Sequence, residues 1–180
     1  MRRGLLQIVA AGVFLASWSW LASASDQYLE YDVKAAFLYN FAKFVEWPPT
    51  AFATPEQPFA ICVAGKDPFG PSLDRTLVGR SAHGRAITVR RDVGFDQTAG
   101  CHLLFIAGSE ATNVAQIVQS LRGASVLTVG ESPGFLDAGG VIGLMLDEGK
   151  VRFEINEAVA QSAGLRLSSQ ILKLARSVRR

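Results

Sequence analysis

From Asp32 to Pro49 the apolar positions recur with the period of a helix. Val33, Phe37, Phe41, Phe44 and Val45 fall at i, i+4, i+8, i+11 and i+12, on one helical face, with Tyr39, Lys43 and Glu46 on the other side. Pro48 has no backbone N–H and forces Trp47 out of helical geometry, so the helix is predicted to end there. Burying each phenylalanine of that stripe is worth ~1.5–3 kcal/mol. A lone helix offers nothing to bury them against, so the pattern calls for a sheet.

The next hundred residues read as that sheet. Phe59–Gly65 and Cys101–Ala107 are continuous apolar runs, the pattern of strands buried on both faces. Arg85–Arg91 alternates and so belongs nearer an edge, and Ser125–Val129 is a further strand. Between them lie a short helix reaching Val78, with Asp67 as N-cap and Pro68 first in the helix, and a helix Asn113–Leu121 closed by Gly123. After a Gly- and Pro-rich loop, Gly130–Gly140, the runs Val141–Asp147 and Lys150–Ile155 flank Glu148-Gly149, a two-residue hairpin turn. Two short helices close the chain. In the last, Leu167, Ile171, Leu172 and Ala175 form an apolar stripe that Ser168 or Ser169 can cap.

This order predicts an α/β fold: a mostly parallel sheet flanked by helices on both faces, with a C-terminal antiparallel edge hairpin. If the chain reverses direction after the first strand, the run from Cys101 lies beside it, with Cys62 and Cys101 on neighbouring strands.

Composition changes the picture at the N-terminus. Arg2 and Arg3 precede an apolar run from Leu5 to Leu21, and Ala22-Ser23-Ala24 supplies small residues for cleavage. Residues 1–24 are therefore expected to be a signal peptide, and residues 25–180 a single domain with no stable membrane insertion after cleavage. Removing that leader takes away two Arg and no acid, leaving 16 basic and 16 acidic side chains. The pI of about 8.7 thus gives no support for nucleic-acid binding. In an oxidising compartment the two cysteines favour a disulfide, the alternative being two separate buried thiols.

Candidate chemistry is sparse. His83 and His102 are the two histidines, and Ser109 lies in no Gly-x-Ser-x-Gly turn, so neither a metal site nor hydrolase chemistry finds support. No cofactor is expected. Sheets of this kind bind ligands beyond the carboxyl ends of their strands where strand order reverses. Here that crevice is expected at Lys66, Asp67, Ser109 and Glu110, although Gly65–Gly70 is no phosphate-binding loop. Tyr39, Asn40, Lys43 and Trp47 at the helix rim, with Phe135 and Leu136 in the Gly-rich loop, are candidate anchors for a protein partner.

Several stretches, taken in order, carry a resemblance: Lys34–Pro48, Ile61–Gly70, Cys101–Ile106, Val126–Gly130, Gly134-Phe135 with Gly139-Gly140, Val151–Asn156 and Leu165–Ala175. Together they resemble the YfiR family of exported proteins across essentially the whole mature chain. The resemblance implies a periplasmic α/β protein that is not an enzyme. Such a protein represses an inner-membrane diguanylate cyclase by binding its periplasmic sensing domain, lowering cyclic-di-GMP and biofilm formation. It also implies self-association as a homodimer and a disulfide at the positions of Cys62 and Cys101. A second cysteine pair of the best-known member is missing here, so redox sensing carries over less firmly than binding. The alternative is a periplasmic small-molecule-binding domain that feeds a membrane sensor through the crevice near Asp67 and Ser109.

Overall fold

A computed structural model describes the backbone of residues 19–180 and the side chains from Leu29 onward, Phe95 excepted. Residues 1–18, most of the expected leader, lie outside the described residues. The first helix, α1 (Ser19–Phe44), contains neither Gly nor Pro and runs 26 residues, about 39 Å at the helical rise. Its buried face is Lys34, Ala35, Leu38, Phe41 and Ala42, with Phe37 and Phe44 half-buried at its margins and Val33 exposed at 44%. The core stripe is therefore rotated by about one residue from the expected one. The helix also stops three residues early, because Val45 and Glu46 form a short strand, β1 (Val45–Glu46), that pairs antiparallel with Leu167 and Arg166. Val45 is fully buried as expected, but from extended backbone.

The chain then lays down β2 (Phe59–Ala64), α2 (Pro71–Leu77), β3 (Ser81–Ala82), β4 (Arg85–Val93), β5 (Leu103–Ile106), α3 (Val114–Ser120) and β6 (Leu127–Gly130). It finishes with β7 (Ile142–Asp147), β8 (Lys150–Asn156), α4 (Glu157–Ser162), β9 (Arg166–Leu167), α5 (Ser169–Leu174) and β10 (Ser177–Arg179). Eight strands form one sheet in the order β10-β8-β7-β6-β5-β2-β4-β3, while β1 and β9 form a separate pair. From β4 through β7 the neighbours are parallel, and β7–β8 is the expected antiparallel hairpin. Glu148 and Gly149 at its turn have φ of 50° and 72°, the left-handed pair that a two-residue turn between twisted strands requires. Outside β8 the three residues of β10 add a parallel strip that is too short to announce itself by periodicity.

Strand order reverses between β2 and β5, which places the two crossover helices on opposite faces. One face packs Phe59, Ile61, Val63, Leu103, Phe105, Leu127 and Val129 under α1 and α2. The other packs Ala60, Cys62, Ala64, Leu104 and Ile106 under Val114 and Ile117 of α3 and Leu121 at its end. The alternation along β2 and β5 is strict, which is why both read as unbroken apolar runs.

Candidate functional site

Gly65 to Asp67 leave the carboxyl end of β2, and Gly108 to Glu110 leave that of β5, so the four crevice residues do converge at the reversal point. Of the four, Lys66 and Ser109 bond each other directly, and Glu110 and Asp67 are held by other residues. Ser109 Oγ accepts the Lys66 backbone N–H at 2.9 Å, and Glu110 Oε2 accepts from Asn113 Nδ2 at 2.8 Å. Gly65, at φ 79°, passes so close that a Cβ there would sit 2.5 Å from Ser109 Oγ. Asp67 is not the N-cap of α2, which starts three residues later than expected, at Pro71. Its Oδ1 accepts the Phe69 N–H at 2.8 Å and its Oδ2 accepts from Arg91 Nε at 2.8 Å. Asp74 shares the same guanidinium at 3.0 Å, and these carboxylates raise the Arg91 pKa against the opposing effect of burial.

What fills the space between these turns comes from elsewhere. Glu131, just beyond β6, accepts the Gly108 N–H at 3.0 Å on Oε1, and the Tyr31 hydroxyl lies 3.2 Å from both its oxygens. Lys34, only 4% exposed, bonds the carboxylates of both Glu131 and Glu30 and lies 4.5 Å over the Tyr31 ring. Burial first, then the charge and hydrogen bond of Glu131, then Glu30, hold the Tyr31 hydroxyl well above its ordinary value, so it donates as a neutral phenol. None of Glu30, Tyr31, Lys34 and Glu131 was read from the sequence as a site residue. The available signal was Lys34 itself, a cation at helical spacing with Leu38, Phe41 and Ala42.

Cys62 and Cys101 form a disulfide that ties β2 to the residue pair preceding β5, with Cα atoms 5.9 Å apart. Beside it His102 is stacked between Phe52 and Phe59, ring centroids 4.3 and 5.2 Å away. Its Nδ1 accepts the Ala60 N–H at 3.0 Å. Burial lowers its pKa against the pull of the Ala51 backbone, and Arg85 lowers it further. Arg85 also binds the Pro-rich loop, donating to the carbonyls of Thr54, Pro55 and Gln57 while stacking 3.9 Å over Phe52.

The six expected anchors do not make one surface. Asn40 and Lys43 are exposed on α1, and Tyr39 is half-buried beneath the Arg80 guanidinium, 4.5 Å above its ring. Trp47 is half-buried, edge-on to Phe59, and donates Nε1–H to the His102 carbonyl at 3.1 Å. Phe135 and Leu136 are 3% and 5% exposed and belong to the core on the opposite face. As placed, they are packing residues and not surface anchors. The Phe135 ring lies against the backbone of Gly130 and Gly140, where a Cβ would come within 2.3 and 2.1 Å of it. Glycine at both positions lets the loop fold inward.

Among the described residues no group of three His, Cys, Asp or Glu side chains could hold a metal ion, and no helix is long and apolar enough to cross a membrane. The family model described as YfiR/HmsC-like (DUF4154) matches residues 31–176, from the charged cluster on α1 to the last turn before β10. The chain belongs to the YfiR/HmsC-like family. That family is regulatory rather than catalytic, and membership suggests a periplasmic regulator of diguanylate cyclase signalling. Two solved structures are similar to this YfiR/HmsC-like chain. A conserved domain protein from Vibrio cholerae O1 biovar El Tor is 12% identical with a TM-score of 0.50, covering 69% of this chain and 55% of its own. An ABC domain in complex with L-Trp from Streptococcus pneumonia is 11% identical with a TM-score of 0.48, covering 72% and 57%. The chain thus spans little more than half the length of either. At this identity the former speaks for the fold alone.

Proposed function

We propose that this protein, exported to the periplasm, binds the periplasmic sensing domain of an inner-membrane diguanylate cyclase and holds the enzyme inactive, lowering cyclic-di-GMP and biofilm formation. The observation that carries this reading is the family match over residues 31–176, which takes in nine of the ten strands among the described residues. Asn40 and Lys43 on the outer side of α1, with Tyr39 and Trp47 at its margin, are the contact residues proposed for that partner. Aromatic anchors beside exposed polar groups suit an interface that must also be stable in water before the partner arrives.

Capture from solubilised membranes tests the reading. Residues 25–180, tagged and oxidised, are expected to retain a membrane protein carrying a diguanylate cyclase domain, and Lys43→Glu with Trp47→Ala to retain less of it. Recovery of no cyclase, together with a co-purifying metabolite, would favour the small-molecule sensor instead.

A further inference from the structure

At the carboxyl ends of β2, β5 and β6, a sheet of this topology has its ligand crevice. In this chain the crevice contains donors arranged around one carboxylate. The Gly108 backbone N–H is aimed at Oε1 of Glu131 at 3.0 Å, the Tyr31 hydroxyl lies 3.2 Å from each oxygen, and the Lys34 ammonium bonds Oε2. These donors come from two separate elements: the turn after β5, and α1, where Tyr31 and Lys34 lie three residues apart, about one helical turn. Lys34 is 4% exposed, so its charge is committed to this place. Charge-assisted bonds to both oxygens of a planar acceptor favour a carboxylate over a spherical anion. A cavity of about 280 Å³, lined by Glu30, Tyr31, Lys34, Glu131 and the end of β7, opens beside the cluster and gives a route from solvent.

We infer that Gly108 N–H, Tyr31 OH and Lys34 Nζ form a carboxylate-binding site that the protein fills in cis with Glu131, closing its own crevice and pinning α1 to the sheet. The chemistry requires no covalent step. Occupancy by Glu131 satisfies all three donors, so a free carboxylate gains entry only when the side chain is removed. Glu30 shares Lys34 and keeps the ammonium partnered in its absence, which lets the emptied site persist instead of collapsing.

The test removes the internal ligand and supplies one from outside. Glu131→Ala deletes the CH2COO⁻ portion, close to the size of acetate. Its Tm is expected to fall by roughly 10 °C in sodium chloride, as for loss of one partner of a buried ion pair. Sodium acetate at the same ionic strength is expected to restore at least half of that drop, saturably, while leaving the Tm of the parent unchanged. Adding Lys34→Met to Glu131→Ala is expected to abolish the acetate effect. Should Glu131→Ala not fold in chloride, folding in acetate is the same positive result. Acetate that does no more than chloride, whether or not the variant is folded, overturns the inference. So does acetate rescue that survives loss of Lys34.

Discussion

The two faces of the sheet are built by different means. One is covered by α1, a 26-residue helix that brings Ala35, Leu38, Phe41 and Ala42 onto Phe59, Ile61, Phe105 and Phe153. Phe41 stacks against Phe37 and meets Phe153 edge-on, centroids 5.8 and 5.1 Å away. The other is covered by α3, seven residues long, and by the inward-folded loop carrying Phe135 and Leu136. There β2 contributes only small side chains, Ala60, Cys62 and Ala64, beside Leu104 and Ile106 of β5, and the disulfide lies on this side. A groove of about 660 Å³ remains open between α3, α4 and the Gly-rich loop. Where apolar area is plentiful, burial alone suffices. Where it is thin, a covalent tie restricts the unfolded chain.

That contrast sets the order of expected effects. On the α1 face Phe41→Ala should cost ~3–5 kcal/mol in chemical denaturation, since Phe41 is 1% exposed and ringed by aromatics. On the α3 face the Cys62→Ala, Cys101→Ala double variant should lose about 3–4 kcal/mol, the entropy of a bridge whose cysteines are 39 residues apart, with a larger denaturant slope as the unfolded state expands. An unchanged slope would place the effect in the folded state and weaken the contrast. Gly140→Ala should cost ~1–3 kcal/mol, because the new methyl group must displace the Phe135 ring.

The smallest expected effect is of pH, through His102. Its folded-state pKa is lowered, chiefly by burial, so below the ordinary value near 6.5 the unfolded chain holds a proton that the folded one does not. Its contribution is therefore complete above about pH 6.5 and is lost as pH falls through the folded value. Thermal unfolding between pH 7.5 and 5 should show this decline, and His102→Asn should flatten it.

Much of this architecture was legible because buried strands write themselves as unbroken apolar runs. Phe59–Ala64 and Leu103–Ile106 were visible in that way, and their adjacency placed Cys62 beside Cys101. The buried stripe of α1 lies about one residue from the expected one because large side chains dominate a hydrophobic pattern and small ones do not. Ala35, Leu38 and Ala42 face the core, and so does Lys34, which a hydrophobic count passes over. Phe135 and Leu136 read as surface anchors because apolar and aromatic side chains in a loop suit an interface. Glycine there serves close packing instead, and only a long-range contact reveals it. The clasp on Glu131 joins residues about a hundred positions apart, beyond the reach of local pattern.

Cellular cyclic-di-GMP gives the most direct test of the central claim, that this fold serves to restrain a cyclase from the periplasm. It is to be measured in the native host with the gene deleted, with the full chain restored, and with residues 25–180 alone restored. The expected result is a rise on deletion, a return to the parental level only with the full chain, and no effect of residues 25–180 alone. A level unchanged by deletion, or corrected equally by residues 25–180 alone, would contradict it.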